Sequence, residues 1–99
     1  MRGFIPPEVY PNGYIERRNK KTGKVHNRNG PAIEDGNGNE YWLINDELHR
    51  ENGPAVILTN GTKKWYQHDK LHRIDGPAVI YPNGEEEYWI EGIQQNESI

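Results

Sequence analysis

Three stretches of the chain share one pattern at a constant spacing: HNRNGPAI at residues 26–33, HRENGPAV at residues 49–56 and HRIDGPAV at residues 72–79. Each stretch begins 23 residues after the one before it, with no insertion. An Asn-Gly dipeptide keeps the same step, at residues 37–38, 60–61 and 83–84. A fixed period of about 20–50 residues is typical of arrays in which each unit buries its apolar face against the next. The spacing therefore predicts a repeat protein.

One unit is enough to predict the local structure. The short apolar run from Ala55 to Leu58 has the composition of a strand. The dipeptide Asn60-Gly61 favours a type I′ hairpin turn, after which residues 62–67 return as a second strand. A second candidate turn, His68-Asp69, leads into a short third segment at residues 70–73. Because connections of two to four residues allow only antiparallel neighbours, we predict an all-β antiparallel meander of tandem hairpin repeats that forms one elongated, twisted sheet.

The chain of 99 residues has the length of one small domain. We predict a single repeat domain over residues 1–99, made of a partial unit at 9–25, repeats at 26–48, 49–71 and 72–94, and a short tail at 95–99. From Gly13 to His26 the first unit has two more residues than the equivalent stretches of the others. The extra residues fall within 19–23, which predicts a longer and basic hairpin tip.

Composition excludes several classes of protein. Only 32% of the residues are hydrophobic and the mean hydropathy is −1.08, so a thick two-layer core is not expected. Without cysteine the chain has no disulfide and no thiolate metal site. No stretch approaches the roughly 20 apolar residues that span a bilayer, and the N-terminal residues lack the pattern of a signal peptide. We therefore expect a cytoplasmic protein.

Several residues of each unit resemble the MORN repeat: the Asn-Gly dipeptide, the aromatic pair that follows it and the Leu-His dipeptide near a glycine. That family also has a 23-residue period and is built from antiparallel hairpins. Residues 71–84, LHRIDGPAVIYPNG, are similar to a MORN-like variant of uncharacterised phage and large DNA virus proteins. The resemblance covers about residues 9–95. It implies a non-catalytic scaffold or binding surface, and a viral source implies a host or defence protein as partner, in the host cytoplasm.

The repeated histidines could suggest metal binding or catalysis. His26, His49 and His72 are equivalent positions, so stacked strands place neighbouring copies roughly 10–14 Å apart. Since zinc requires ligand nitrogens at about 2.0–2.1 Å, the three cannot share one ion. We expect instead a packed imidazole whose ring nitrogen bonds to an adjacent turn. The only serine is Ser98 and there is no thiol, so we predict no catalytic residues, no cofactor and no metal.

The aromatic pairs predict a binding surface, because adjacent strand residues face opposite sides of a sheet and a single layer leaves apolar rings exposed. One face is expected to form the core and the other to contact a partner, centred on the three tryptophans. Arginines beside this face could bind a carboxylate or phosphate, or pair across strands with acidic side chains. The predicted partner-binding residues are Tyr41, Trp42, Trp65, Tyr66, Tyr88, Trp89, Arg50 and Arg73.

Charge adds two alternatives. Residues 1–30 carry a net charge of +5 and residues 31–99 carry −8. Unpaired strands at the ends of a meander invite pairing, so the basic first hairpin and the acidic segment Glu85 to Glu87 could join copies of the chain in a homo-oligomer. The second alternative is a nucleic-acid contact through the basic hairpin, made by Arg17, Arg18, Lys20, Lys21 and Lys24.

Overall fold

The computed structural model describes residues 8–95, and every regular element within that range is a β-strand. Most strands contain two residues, because a glycine, a proline or a turn interrupts the chain every few positions. The thirteen strands are β1 (Glu8–Val9), β2 (Ile15–Glu16), β3 (Ile33–Glu34), β4 (Glu40–Tyr41), β5 (Leu43–Ile44), β6 (Glu47–Leu48), β7 (Val56–Ile57), β8 (Lys63–Lys64), β9 (Tyr66–Gln67), β10 (Lys70–Leu71), β11 (Val79–Ile80), β12 (Glu86–Ile90) and β13 (Ile93–Gln95). Over the described range, no helix is long and apolar enough to cross a bilayer.

Nine of the strands form one antiparallel sheet in the order β1-β2-β3-β4-β7-β8-β11-β12-β13. The other four form two small hairpins, β5-β6 and β9-β10, which lie between β4 and β7 and between β8 and β11 in the sequence. The predicted all-β antiparallel meander is therefore confirmed. The prediction of one sheet is corrected, because these two hairpins are hydrogen-bonded as separate ladders.

A change of ladder at one residue explains the separate hairpins. The predicted strand at residues 62–67 is divided at Trp65, between β8 and β9. The Trp65 N–H donates to the carbonyl of Ala78 at 2.8 Å, and Ala78 directly precedes β11 of the large sheet. The Trp65 carbonyl accepts from the N–H of His72 at 3.0 Å, and His72 directly follows β10 of the small hairpin. Each tryptophan at such a position thus ends one ladder and begins the next.

The turn at Asn60-Gly61 differs from the prediction. Leu58 donates its N–H to the carbonyl of Thr62 at 2.9 Å, which leaves a three-residue loop rather than a two-residue one. Only Gly61 has a positive φ, at 100°, whereas a type I′ turn requires two such residues. Asn60 acts through its side chain, which accepts the Thr62 N–H at 2.9 Å. The type I′ prediction is wrong here because the strand register, which the dipeptide does not specify, sets the loop length.

The small hairpins carry the two-residue turns. Both central residues have positive φ, at 48° and 71° for Asn45-Asp46 and at 48° and 67° for His68-Asp69. Glu91-Gly92 follows the same geometry between β12 and β13, at 48° and 83°. The His68-Asp69 turn lies where the sequence predicts it, and the other two turns lie 23 residues before and after it. The first hairpin has the predicted longer tip, since Asn19 bonds to the carbonyl of Lys24 across four residues.

The interior of the molecule is thin. Ala32, Ala55 and Ala78 are fully buried, and beside them only Val56 and Val79 are buried hydrophobic residues in the described range. The chain measures 57 × 26 × 16 Å, so its shortest dimension leaves little depth for larger side chains. Small residues at the three equivalent positions therefore set how closely the strands and loops approach one another.

Candidate functional site

Three grooves follow one another along one face of the sheet. The first and the second each lie between two loops that carry the repeated His-x-x-x-Gly-Pro segment, and the third lies between the last of these loops and strand β13. The first groove has a volume of about 360 Å³ and contains Trp42. The second groove, of about 600 Å³, contains Trp65, and the third, of about 510 Å³, contains Tyr88. These aromatic residues are 23 positions apart. Neighbouring grooves share a wall, formed by Arg50 between the first and second and by Arg73 between the second and third.

Each shared wall is an arginine stacked on a tryptophan. The Cζ of Arg50 lies 3.6 Å from the centre of the Trp42 ring, and that of Arg73 lies 4.0 Å from the centre of the Trp65 ring. Contacts of this kind contribute about 0.5–2 kcal/mol. Each arginine also donates its Nη1–H to the carbonyl of the proline four residues later, at 3.1 Å. Burial lowers the pKa of Arg50, an effect that Glu40 partly opposes.

A side chain at the glycine beside each stacked arginine would displace the guanidinium group. A Cβ atom on Gly53 would lie 2.9 Å from the Cζ of Arg50, and one on Gly76 would lie 2.8 Å from the Cζ of Arg73. The guanidinium groups therefore pack directly against the loop backbone. The arginines follow their tryptophans by eight residues in both units, a constant spacing that is visible in the sequence.

The two arginines differ in their acidic neighbours. Arg73 Nε lies 3.2 Å from Asp75 Oδ1, an ion pair within one loop rather than the predicted pair across strands. Arg50 has no carboxylate within 4.0 Å among residues 8–95. The position that corresponds to Asp75 is occupied by Asn52. The charge of Arg50 is therefore the less compensated of the two.

The three tryptophans do not occupy equivalent positions, and the structure does not place Trp89 in one row with Trp42 and Trp65. Arg50 donates its N–H to the carbonyl of Tyr66 at 3.2 Å, and Arg73 donates to that of Trp89 at 3.0 Å. Trp89 is thus equivalent to Tyr66, and Tyr88 is the residue equivalent to Trp65. The aromatic pair at 41–42 is one position earlier in its unit than the other two pairs. Aligning the units by their tryptophans therefore gives the wrong equivalence.

The remaining predicted aromatic residues lie outside the row of grooves. Tyr41 belongs to β4 in the large sheet and Tyr66 to the small hairpin β9-β10, and both are half-buried. Burial raises the pKa of each phenol. The indole N–H of Trp89 donates to Glu87 at 2.9 Å. The structure therefore brings together Trp42, Trp65, Tyr88, Arg50 and Arg73, and it separates Tyr41, Tyr66 and Trp89 from them.

The histidines make the predicted bond to a neighbouring turn. The Nδ1 atoms of His26 and His49 accept the N–H groups of Asn45 and His68 at 3.1 Å, and His72 accepts that of Glu91 at 2.9 Å. Each acceptor bonds to the first positive-φ residue of the following small turn. No group of three or more potential metal ligands occurs between residues 8 and 95.

Part of the charge of the basic hairpin is neutralised internally. Arg17 pairs with Glu34 at 2.7 Å, and Arg18 pairs with both Glu8 and Glu16. The structure places the lysines predicted beside them on the exposed surface of the hairpin: Lys20, Lys21 and Lys24. Three of the five predicted nucleic-acid contacts thus lack an ion pair within the described part of the chain.

Comparisons of the chain with protein-family models, with curated proteins and with solved structures find no match. The row of grooves combines aromatic rings, of which Tyr88 is exposed and Trp42 and Trp65 are half-buried, with stacked guanidinium groups and a regular step along one face. Aromatic residues and arginine are the types enriched at protein interfaces.

Proposed function

We propose that the chain is a non-catalytic array of 23-residue β-hairpin units, resembling MORN repeats, that binds another protein through the row of three grooves. The observation that supports this function is the recurrence of an aromatic floor and a stacked arginine in neighbouring grooves. Large apolar side chains are also exposed there, with Ile74 at 74% and Tyr88 at 46%. Exposed apolar surface bounded by charged groups is typical of interaction sites.

A protein fits this surface better than a small molecule does. The grooves are open to solvent and lie in a row, so that an extended segment can contact several of them at once. Binding energy at protein interfaces is concentrated in a few aromatic and arginine residues. The face offers such residues in each groove. Given the resemblance to phage and large DNA virus proteins, we propose a host or defence protein in the host cytoplasm as the partner.

A single exposed residue tests this surface. Ile74 lines both the second and the third groove, so Ile74→Asp places an unpaired charge against a bound partner. We expect this variant to capture partner proteins at least tenfold less efficiently than the wild type, a loss of about 1.4 kcal/mol or more. The measurement is a pull-down with the immobilised full chain, quantified by mass spectrometry.

A matched substitution outside the grooves is the control for Ile74→Asp. Ile93 is 68% exposed on β13 and lines none of the three grooves. Ile93→Asp changes the same residue type at nearly the same exposure, and it should capture the same proteins as the wild type. Equal capture by both variants, with circular dichroism unchanged, would show that the grooves do not form the binding surface.

Self-association is a second candidate function, favoured by an open strand edge. Strand β8 pairs on both sides, with β7 and β11. In β12, by contrast, Glu86 and Glu87 pair only with β11 among the described residues. We expect light scattering at low salt to detect dimers or larger species, and Glu86→Pro, which removes one edge N–H, to abolish them. A wild-type monomer at both low and high salt would rule this function out.

A further inference from the structure

We propose that Arg50 binds a carboxylate of the partner protein, supplied by an aspartate, a glutamate or the C-terminus of its chain. This inference rests on the proposed function and specifies the chemistry of the partner. The carboxylate would lie at the wall between the first and second grooves, since Arg50 lines both. A partner segment that follows the row of grooves must pass this wall.

The guanidinium of Arg50 is held in place but incompletely bonded. One of its faces stacks on Trp42 and its Nη1 donates to the carbonyl of Pro54. Its Cζ also lies so close to Gly53 that a Cβ atom there would displace the guanidinium. Within residues 8–95, Nε and Nη2 of this arginine donate no hydrogen bond to the protein. The donors that remain are those that a carboxylate binds in bidentate fashion.

The equivalent loop shows the arrangement with an acid present. The Nε–H of Arg73 donates to Oδ1 of Asp75 at 3.2 Å, and Asp75 follows Arg73 by two residues. In the loop of Arg50 this position is Asn52, whose side chain carries no charge. A carboxylate from outside the chain would therefore give Arg50 the partner that Asp75 gives Arg73. Because Arg50 is half-buried beside an aromatic ring, water compensates its charge less than it would on an open surface.

The surroundings favour a carboxylate over a phosphate. The second groove is also lined by Glu51 and Asp75, which bear negative charges. A phosphate with nearly two negative charges is repelled more strongly by these groups than a single carboxylate is. The planar guanidinium fork matches a carboxylate with two parallel hydrogen bonds. A partner segment with isolated acidic residues fits the groove best.

The experiment uses the Nε–H signals of arginine in the ¹⁵N-labelled full chain. Sodium acetate is titrated at constant ionic strength with sodium chloride. We expect a saturable shift of the Arg50 signal at least fivefold larger than that of Arg73. Asn52→Asp, which supplies an internal acid, should reduce the Arg50 response at least fivefold. Asp75→Asn should make Arg73 respond as Arg50 does, and both substitutions affect exposed positions.

Three results would overturn the inference. One is an Arg50 response no larger than that of Arg73 in the wild type. Another is saturation by inorganic phosphate at a lower concentration than by acetate. The last concerns the pull-down: Ile74→Asp captures fewer partner proteins than the wild type, whereas Asn52→Asp captures as many. In that case the grooves bind a protein, but Arg50 does not bind its carboxylate. That outcome leaves the proposed function standing and removes this inference alone.

Discussion

Replacing Ala55 with leucine is expected to destabilise the protein by about 3 kcal/mol or more, because overpacking a filled interior forces side chains and backbone apart. Ala55 is fully buried. Its N–H donates to the carbonyl of Lys64 and its own carbonyl accepts from Trp42, at 2.8 and 2.7 Å. The backbone at this residue is thus bonded to two strands and cannot move outward without breaking one of these bonds.

Urea unfolding followed by tryptophan fluorescence measures this effect. A small domain has a free energy of unfolding of about 5–15 kcal/mol, so the loss should move the midpoint clearly. Lys63→Leu is the control, since it introduces the same side chain at an exposed position of β8, where about ±0.5 kcal/mol is expected. A cost below 1 kcal/mol for Ala55→Leu would mean that the interior has room for larger residues.

Much of the fold follows from local patterns in the sequence. The Asn-Gly dipeptides, the second turns and the apolar runs are each contained within a few residues, so they predict strands, antiparallel neighbours and short connections. What they do not contain is the register between strands. The loop from Leu58 to Thr62 has three central residues because of pairing across the hairpin. For the same reason the change of ladder at Trp65 could not be predicted from its own segment.

The site was predicted in composition but not in arrangement. Of the predicted partner-binding residues, the grooves contain two tryptophans, Tyr88 and both arginines. Trp89 shares its residue type with Trp42 and Trp65 but lies one position later in its unit, so residue type alone predicts the wrong equivalence. The stack of Arg50 on Trp42 joins residues eight positions apart through a loop whose course no local pattern specifies. The repeated Gly-Pro dipeptide is the sequence feature that indicates this stack, because a side chain at its glycine would displace the guanidinium.

Replacing His49 with alanine is expected to cost about 2–4 kcal/mol, the sum of a lost buried ring and an unsatisfied backbone donor. His49 is the one buried histidine of the described chain. Its Nδ1 accepts the N–H of His68, which has a φ of 48°, a conformation that is unfavourable for residues other than glycine. Its Nε2 lies 2.6 Å from Glu51, so the ring connects its own loop to the turn at residues 68–69. Without the imidazole, the turn at residues 68–69 loses the acceptor that fixes its first residue.

The equivalent His26 provides the comparison for this prediction. It makes the same Nδ1 bond, to Asn45, but it is less buried and makes no bond through Nε2 within the described residues. Asparagine can also be stabilised at positive φ by a local hydrogen bond of its own short side chain. His26→Ala should therefore cost about half as much as His49→Ala in urea unfolding. Hydrogen exchange at the amide of residue 68 should accelerate in the His49 variant and not in the His26 variant. Equal costs for the two variants would show that the burial of His49 and its contact with Glu51 add nothing to the bond that both histidines make.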